Sequence, residues 1–268
     1  MIFSSEPFDR RHFLVRSAAA TASSLIPYAL LGQATSVKPL IPNRDTVLKF
    51  NPNGTPRPFK GNTVISHLPA QCKLRDEMVS IHEELMRSSY IHKLGPTSTD
   101  SYHMTVYPGA NDQDRGVSAW PSYVPIRATI EECNIKVGEK IASAQLECKL
   151  PLRMRIDADA TLARKTASGL TLAGVDSVEE KKLRSLRNQI SALYGLQLPD
   201  QDTYRFHMTM SYQIAPFTSQ EWASYQTMFS RHVNRIVQEI PVIELGVLEY
   251  CTFDDMFRFE PRKMLSCS

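Results

Sequence analysis

The tripeptide His-Met-Thr occurs twice in this chain of 268 residues, at His103–Thr105 and at His207–Thr209. Each copy lies in a stretch that reads as a β-strand, Tyr102–Tyr107 and Tyr204–Ile214, and each follows an aromatic residue. The copies stand 104 residues apart, about half the span from Thr63 to Met256. That spacing predicts two similar lobes, each donating one strand. Side chains on a strand alternate between its faces. His103, Thr105 and Tyr107 then share one face, while Met104 and Val106 point to a core. In the second copy Arg205, His207, Thr209 and Ser211 face one way, and Phe206, Met208, Met210 and Tyr212 the other. A polar face backed by an apolar one predicts a cleft in front and helices behind.

The remaining periodicities fill in the frame. Thr63–Leu68 reads as the first strand and residues 71–88 as a helix, with Leu74, Met78, Ile81 and Leu85 on one side. A connection rich in Pro and Gly follows at 108–125, long enough to suggest a working loop; within it Asn111–Arg115 reads as a turn. Residues 127–141 read as a helix, 145–156, 161–166 and 170–172 as strands, and Ser177–Tyr194 as a helix capped by Ser177 with Glu180. Ser219–Ile240 completes the helices and Val242–Thr252 the strands. Mixed runs of this kind predict an α+β fold with antiparallel pairing. The expected organisation is a signal at 1–34, an extended proline-rich arm at 35–62, one domain at 63–256 and a tail at 257–268.

Two strands of this design side by side would set two imidazoles and two hydroxyls around one cavity. A neutral imidazole accepts a proton from an attacking water or hydroxyl, and a protonated one delivers a proton to the leaving oxygen. Histidine suits both roles because its ordinary pKa lies near neutrality. The Thr105 and Thr209 hydroxyls can donate to the non-bridging oxygens of a phosphate, where charge gathers in the transition state. Arg205 is placed to clamp a phosphate, Ser211 shares its face, and Tyr107 is placed to stack on a base. His67, His82, His92 and His232 read as structural or surface residues. No histidine or cysteine spacing matches a metal site, and no cofactor is expected. Met78, Met86, Met228 and Cys251 read as packing.

Paired His-x-Thr motifs, one per half and flanked by hydrophobic residues, resemble the signature of the 2H phosphoesterase superfamily. That group includes 2′,5′ RNA ligase-like proteins and cyclic nucleotide phosphodiesterases. The resemblance rests on His103-Met104-Thr105-Val106 and His207-Met208-Thr209-Met210 and covers roughly residues 60–256. It implies a bilobal fold in which two antiparallel sheets, flanked by helices, meet in a central cleft. It also implies metal-independent chemistry on a 2′,3′-cyclic phosphate, an ADP-ribose cyclic phosphate or an oligonucleotide end, with His103 and His207 as acid and base in either order. A non-catalytic module that binds a nucleotide or phosphate in the same cleft is the alternative.

Residues 9–16 read Asp-Arg-Arg-His-Phe-Leu-Val-Arg, and a charge-free run of small and apolar residues follows from Ser17 to Ala34. This pattern reads as a secretory signal of twin-arginine type, which sends folded proteins out of the bacterial cytosol. The expected location is therefore periplasmic or extracellular. Pro27 and the many Ser and Thr make the run a poor permanent span. The five cysteines are scattered, without a Cys-x-x-Cys pair, so a disulfide is open and its pairing is not deducible. A net charge of +3 does not call for a polyanion. The expected partner is a small nucleotide or RNA-end substrate, with no stable nucleic-acid complex, no membrane span once the signal is removed, and a monomeric state.

Overall fold

From residue 45 to residue 268, the part of the chain that the computed structural model describes, helices are interspersed with short strands. In chain order these are α1 (Thr46–Lys49), β1 (Gly61–His67), α2 (Lys73–Met86), β2 (Leu94–Pro96), β3 (His103–Tyr107), α3 (Ile130–Ala142), β4 (Gln145–Leu146), β5 (Leu152–Ile156) and α4 (Ala158–Leu162). They continue as β6 (Gly169–Gly174), α5 (Ser177–Tyr194), β7 (His207–Thr209), β8 (Ser211–Gln213), α6 (Ser219–Glu239), β9 (Ile243–Leu245), β10 (Glu249–Phe253), β11 (Glu260–Met264) and β12 (Ser266–Cys267). The signal expected at 1–34 lies outside the described residues. Among the described residues no helix is long and apolar enough to cross a membrane.

The fold is α+β, built on two antiparallel four-stranded sheets ordered β11-β10-β1-β3 and β7-β6-β5-β9. The two His-Met-Thr strands, β3 and β7, are each the end strand of their sheet, and they lie against each other. The halves share a plan: β1, α2 and β3 in one, β6, α5 and β7 in the other, each ending on a His-Met-Thr strand. Two-stranded ladders, β2 with β8 and β4 with β12, tie distant parts of the chain together.

The helices form where stripes and caps coincide. Thr129 with Glu132 and Thr218 with Glu221 make reciprocal capping boxes at the starts of α3 and α6, each contributing about 1 kcal/mol. The α3 box explains why that helix starts at Ile130 and not at Arg127. At α5 the cap is Asp176, which accepts from the Val178 and Glu179 amides, in place of the expected Ser177; the Glu180 carboxylate accepts from the Gly174 amide. His232 is buried on α6 and bonded to Glu77 and Glu84 of α2, with Arg231 and Arg235 on the same two carboxylates. It is structural, as expected, and locks the two helices together.

Several expected strands come out differently. Residues 161–166 are not a strand: Asp157 caps the short helix α4 and the chain then turns. The stretch 145–156 divides into β4 and β5, and 242–252 into β9 and β10 around Gly246. Residues 257–268 form β11 and β12, and the Cys148–Cys267 disulfide fastens β12 beside β4, with Cα atoms 5.2 Å apart. Within the proline-rich arm, α1 precedes Phe50 and Phe59, which are buried in a small cluster with Phe253 and Met256.

Candidate active site

His103 opens β3 and His207 opens β7, and both rings line one cleft of about 760 Å³ between the sheets. Each ring is anchored in the same way. His103 Nδ1 lies 2.5 Å from the Ser101 carbonyl oxygen, and His207 Nδ1 lies 2.9 Å from that of Arg205. A carbonyl only accepts, so each Nδ1 carries the proton and donates it. The Nε2 atoms are left as lone-pair nitrogens without a protein partner among the described residues. Burial pushes the His103 imidazole down to about 3, against the upward pull of the Ser101 carbonyl, with His67 and His207 pushing further down. Burial also lowers His207, opposed by the Arg205 carbonyl and assisted by Arg164 and Lys49, while Asp200 pulls upward. At neutral pH both imidazoles are therefore neutral.

Thr105 and Thr209 line the cleft beside the histidines. Tyr107 does not. The ladder pairs Ile65 with Thr105 but Val64 with Tyr107, so Val106 is an extra residue, a β-bulge. The bulge turns Tyr107 to the core side, where its ring is fully buried against Tyr194 and its hydroxyl donates to the Leu196 carbonyl. Ser211 is diverted similarly. The amides of Met210 and Ser211 both donate to the Ser168 carbonyl, breaking the strand after Thr209, and the buried Ser211 hydroxyl donates to the Ala167 carbonyl. The Arg205 side chain is exposed and absent from the cleft wall; its contribution is the carbonyl that holds His207. Gly169 permits this close packing, since a Cβ there would sit 1.9 Å from the Met208 carbonyl oxygen.

The cleft contains residues that period-two counting does not reach. Its guanidinium is that of Arg164, just past α4, which donates to the Thr171 hydroxyl at 3.1 Å. Lys49 adds a second cation, resting over the rings of Phe59 and Tyr212. Asp45, Asp114 and Asp200 also border the cleft. Phe253, Phe259 and Met256 form an apolar wall on the His103 side, with the Phe259 ring 4.4 Å from His103. The 108–125 loop supplies Asn111, Asp114, Gly116 and Ser118 to the rim, and Gly109 enables its entry with φ +64. Asn111 organises the turn by accepting the Gln113 and Asp114 amides.

Beside His103 across the ladder stands His67, whose Nδ1 is bonded to Glu249. Together with Cys251 these form the group of His, Cys and acidic residues among the described residues whose donor atoms lie within 4.8 Å of one another. The Glu249 carboxylate is already engaged by His67, and burial pushes the Cys251 thiol far up, so the trio fits a buried polar pair beside a packing cysteine.

No curated protein matches this sequence. Residues 49–164 match the family model described as 2H-phosphodiest, a domain of unknown function (DUF1868); this span includes His103 and ends before His207. The crystal structure of a conserved protein of unknown function from Agrobacterium tumefaciens aligns with a TM-score of 0.74 at 25% identity, covering 84% of this chain and 93% of that one. A phosphoesterase crystal structure aligns at a TM-score of 0.40 and 12% identity, over 78% of this chain and 99% of its own. A Thermus thermophilus protein aligns at 0.38 and 11%, over 76% and 96%. These last two are distant likenesses. In sequence, then, the part of the chain that carries the first histidine is similar to the 2H-phosphodiesterase-type family, and in fold the chain is similar to the Agrobacterium protein.

Proposed function

We propose that this protein is a phosphodiesterase of the two-histidine type, acting without a metal on a phosphodiester or cyclic phosphate. The observation that carries the reading is the matched anchoring of His103 and His207, each with Nδ1 on a main-chain carbonyl and its ring in the same cleft. Water attacks phosphorus and passes its proton to the Nε2 of the neutral histidine. The bond from phosphorus to the leaving oxygen breaks, and that oxygen takes a proton from the protonated histidine. His103, held lower by burial, is assigned as base and His207 as acid. The anionic phosphate raises His207 on binding, since an opposite charge favours the protonated form. Thr105 and Thr209 donate to the non-bridging oxygens, and Arg164 and Lys49 offset their charge.

The signal-like residues 1–34 support an exported setting for this chemistry. The deciding assay is a panel of 2′,3′-cyclic nucleotides, ADP-ribose 1″,2″-cyclic phosphate and short RNAs, run with EDTA present. Turnover of at least one of them is expected. Thermal protection by these compounds without any product would favour the binding-module alternative, and activity abolished by EDTA would remove the metal-independent mechanism.

A further inference from the structure

Arg187 of α5 is the largest fully buried side chain among the described residues, and it lies outside the cleft wall. Its direct partners are a carbonyl, an amide oxygen and aromatic faces; the Asp200 carboxylate acts on it through space without forming an ion pair. One terminal nitrogen donates to the Val106 carbonyl oxygen at 2.5 Å, and the other lies 3.5 Å from Gln201 Oε1. The guanidinium sits 3.9 Å from the centre of the Tyr204 ring, with Tyr107 at 5.4 Å and Phe206 at 6.0 Å. Its Nε has no partner among the described residues. Burying a charge on these terms is unfavourable for stability, so its retention calls for another account.

The two ends of this contact lead to the two motifs. Val106 is the extra residue of the β3 bulge and follows Thr105 directly. Tyr204 lines the cleft, and its ring lies 5.9 Å from that of His207. The strands β3 and β7 belong to different sheets, and no ladder among the described residues joins them. A planar guanidinium is the side chain that can hydrogen-bond in its plane while stacking on its face.

We propose that Arg187 is a positioning residue that sets the separation of the two His-x-Thr strands, holding the Val106 carbonyl on one side and the Tyr204 ring on the other. The proposal rests on the phosphodiesterase reading for its consequence in catalysis, but its geometric content stands apart from it. A displacement of about 1 Å at a reacting centre costs on the order of a hundredfold in rate. A methionine at 187 fills a similar volume without the charge or the donors.

The test compares Arg187→Met and Arg187→Lys with the unaltered protein, using thermal melting, steady-state kinetics on whichever substrate of the panel turns over, and histidine ring NMR. Arg187→Met is expected to melt within about 4 °C of the unaltered protein, to lose at least about tenfold in kcat and to keep its KM. Arg187→Lys, which retains one donor and the charge, recovers part of that kcat. The ring resonances of both His103 and His207 shift in Arg187→Met, although neither ring touches residue 187. Unchanged kcat in a folded Met or Lys variant, a loss confined to KM, or unmoved ring resonances would overturn the proposal. So would failure of both variants to fold, which would make Arg187 a stability residue only. If the unaltered protein turns over nothing on the panel, the phosphodiesterase reading fails, and the NMR comparison still decides the positioning role.

Discussion

His67 stands directly opposite His103 in the β1–β3 ladder, and the two rings meet edge-on with centroids 5.8 Å apart. Burial is the main force that lowers the His103 imidazole, and His67 pushes it further in the same direction. Removing His67 therefore raises His103. In His67→Asn the acid limb of kcat/KM, which reports free-enzyme groups, is expected to move to higher pH. An unmoved limb would separate His67 from the tuning of the cleft.

His103→Ala and His207→Ala are each expected to lose at least about a hundredfold in kcat, the usual scale of a lost acid or base. Far-UV circular dichroism should remain that of the unaltered protein, because both rings face the cleft. Near-normal turnover in either variant would remove that histidine from the chemistry.

The same burial links the histidines to stability. His103 in the folded protein is lowered to about 3 from an ordinary value of 6.5, and His207 and His82 are lowered as well, chiefly by burial. Between those values the unfolded chain binds more protons than the folded one. The stability these imidazoles contribute is therefore full above pH 6.5 and is lost as the pH drops toward 3. Denaturant midpoints measured from pH 8 down to pH 4 should decline, and the decline should be shallower in His103→Gln. Equal slopes in the two proteins would contradict the buried neutral imidazole.

Tyr107 and Thr105 should separate cleanly. Tyr107→Phe deletes the buried hydroxyl bonded to the Leu196 carbonyl, which keeps the Ser191 hydroxyl as a donor, and costs about 0.5–1.5 kcal/mol of stability, while kcat stays unchanged. Thr105→Val removes a hydroxyl from the cleft wall, and the loss appears in kcat with a small change in stability. The reverse pattern, in paired denaturation and kinetic measurements, would put Tyr107 back in the site.

Export can be read directly. Replacing Arg10 and Arg11 together by Lys is expected to retain the protein in the cytosol of a bacterial host, as judged by fractionation. Unimpaired export of that variant would point to a different route. The Cys148–Cys267 disulfide joins β12 to the segment that follows β4, and neither cysteine lines the cleft.

How far the sequence led depends on where strand regularity held. From Met104 to Thr105, and from His207 to Thr209, period two placed every side chain on its observed face. One residue further, bulges at Val106 and Met210 reversed the parity, and Tyr107 and Ser211 went to the core. Bulges depend on which carbonyl two amides share, as with Ser168, and the tripeptides carry no local mark of it. Arg164 was out of reach for a related reason: its position follows from the Asp157 cap that converts an expected strand into α4. His67 and Glu249 come together only through the β1–β10 pairing, a long-range match invisible to spacing. The helices α5 and α6 were legible because their apolar stripes are long. The caps were not: the Thr129–Glu132 and Thr218–Glu221 boxes lie in the sequence but a stripe-based reading passes over them, and the cap it does name, Ser177, is Asp176.

Because β3 and β7 each finish a sheet, the gap separating them is spanned by side chains and not by a backbone ladder. Its width is thus a matter of residue size at a few positions, Val106, Arg187 and Tyr204 among them. Substitutions there can retune which ligands the cleft admits while the strands bearing the imidazoles keep their own hydrogen bonding intact.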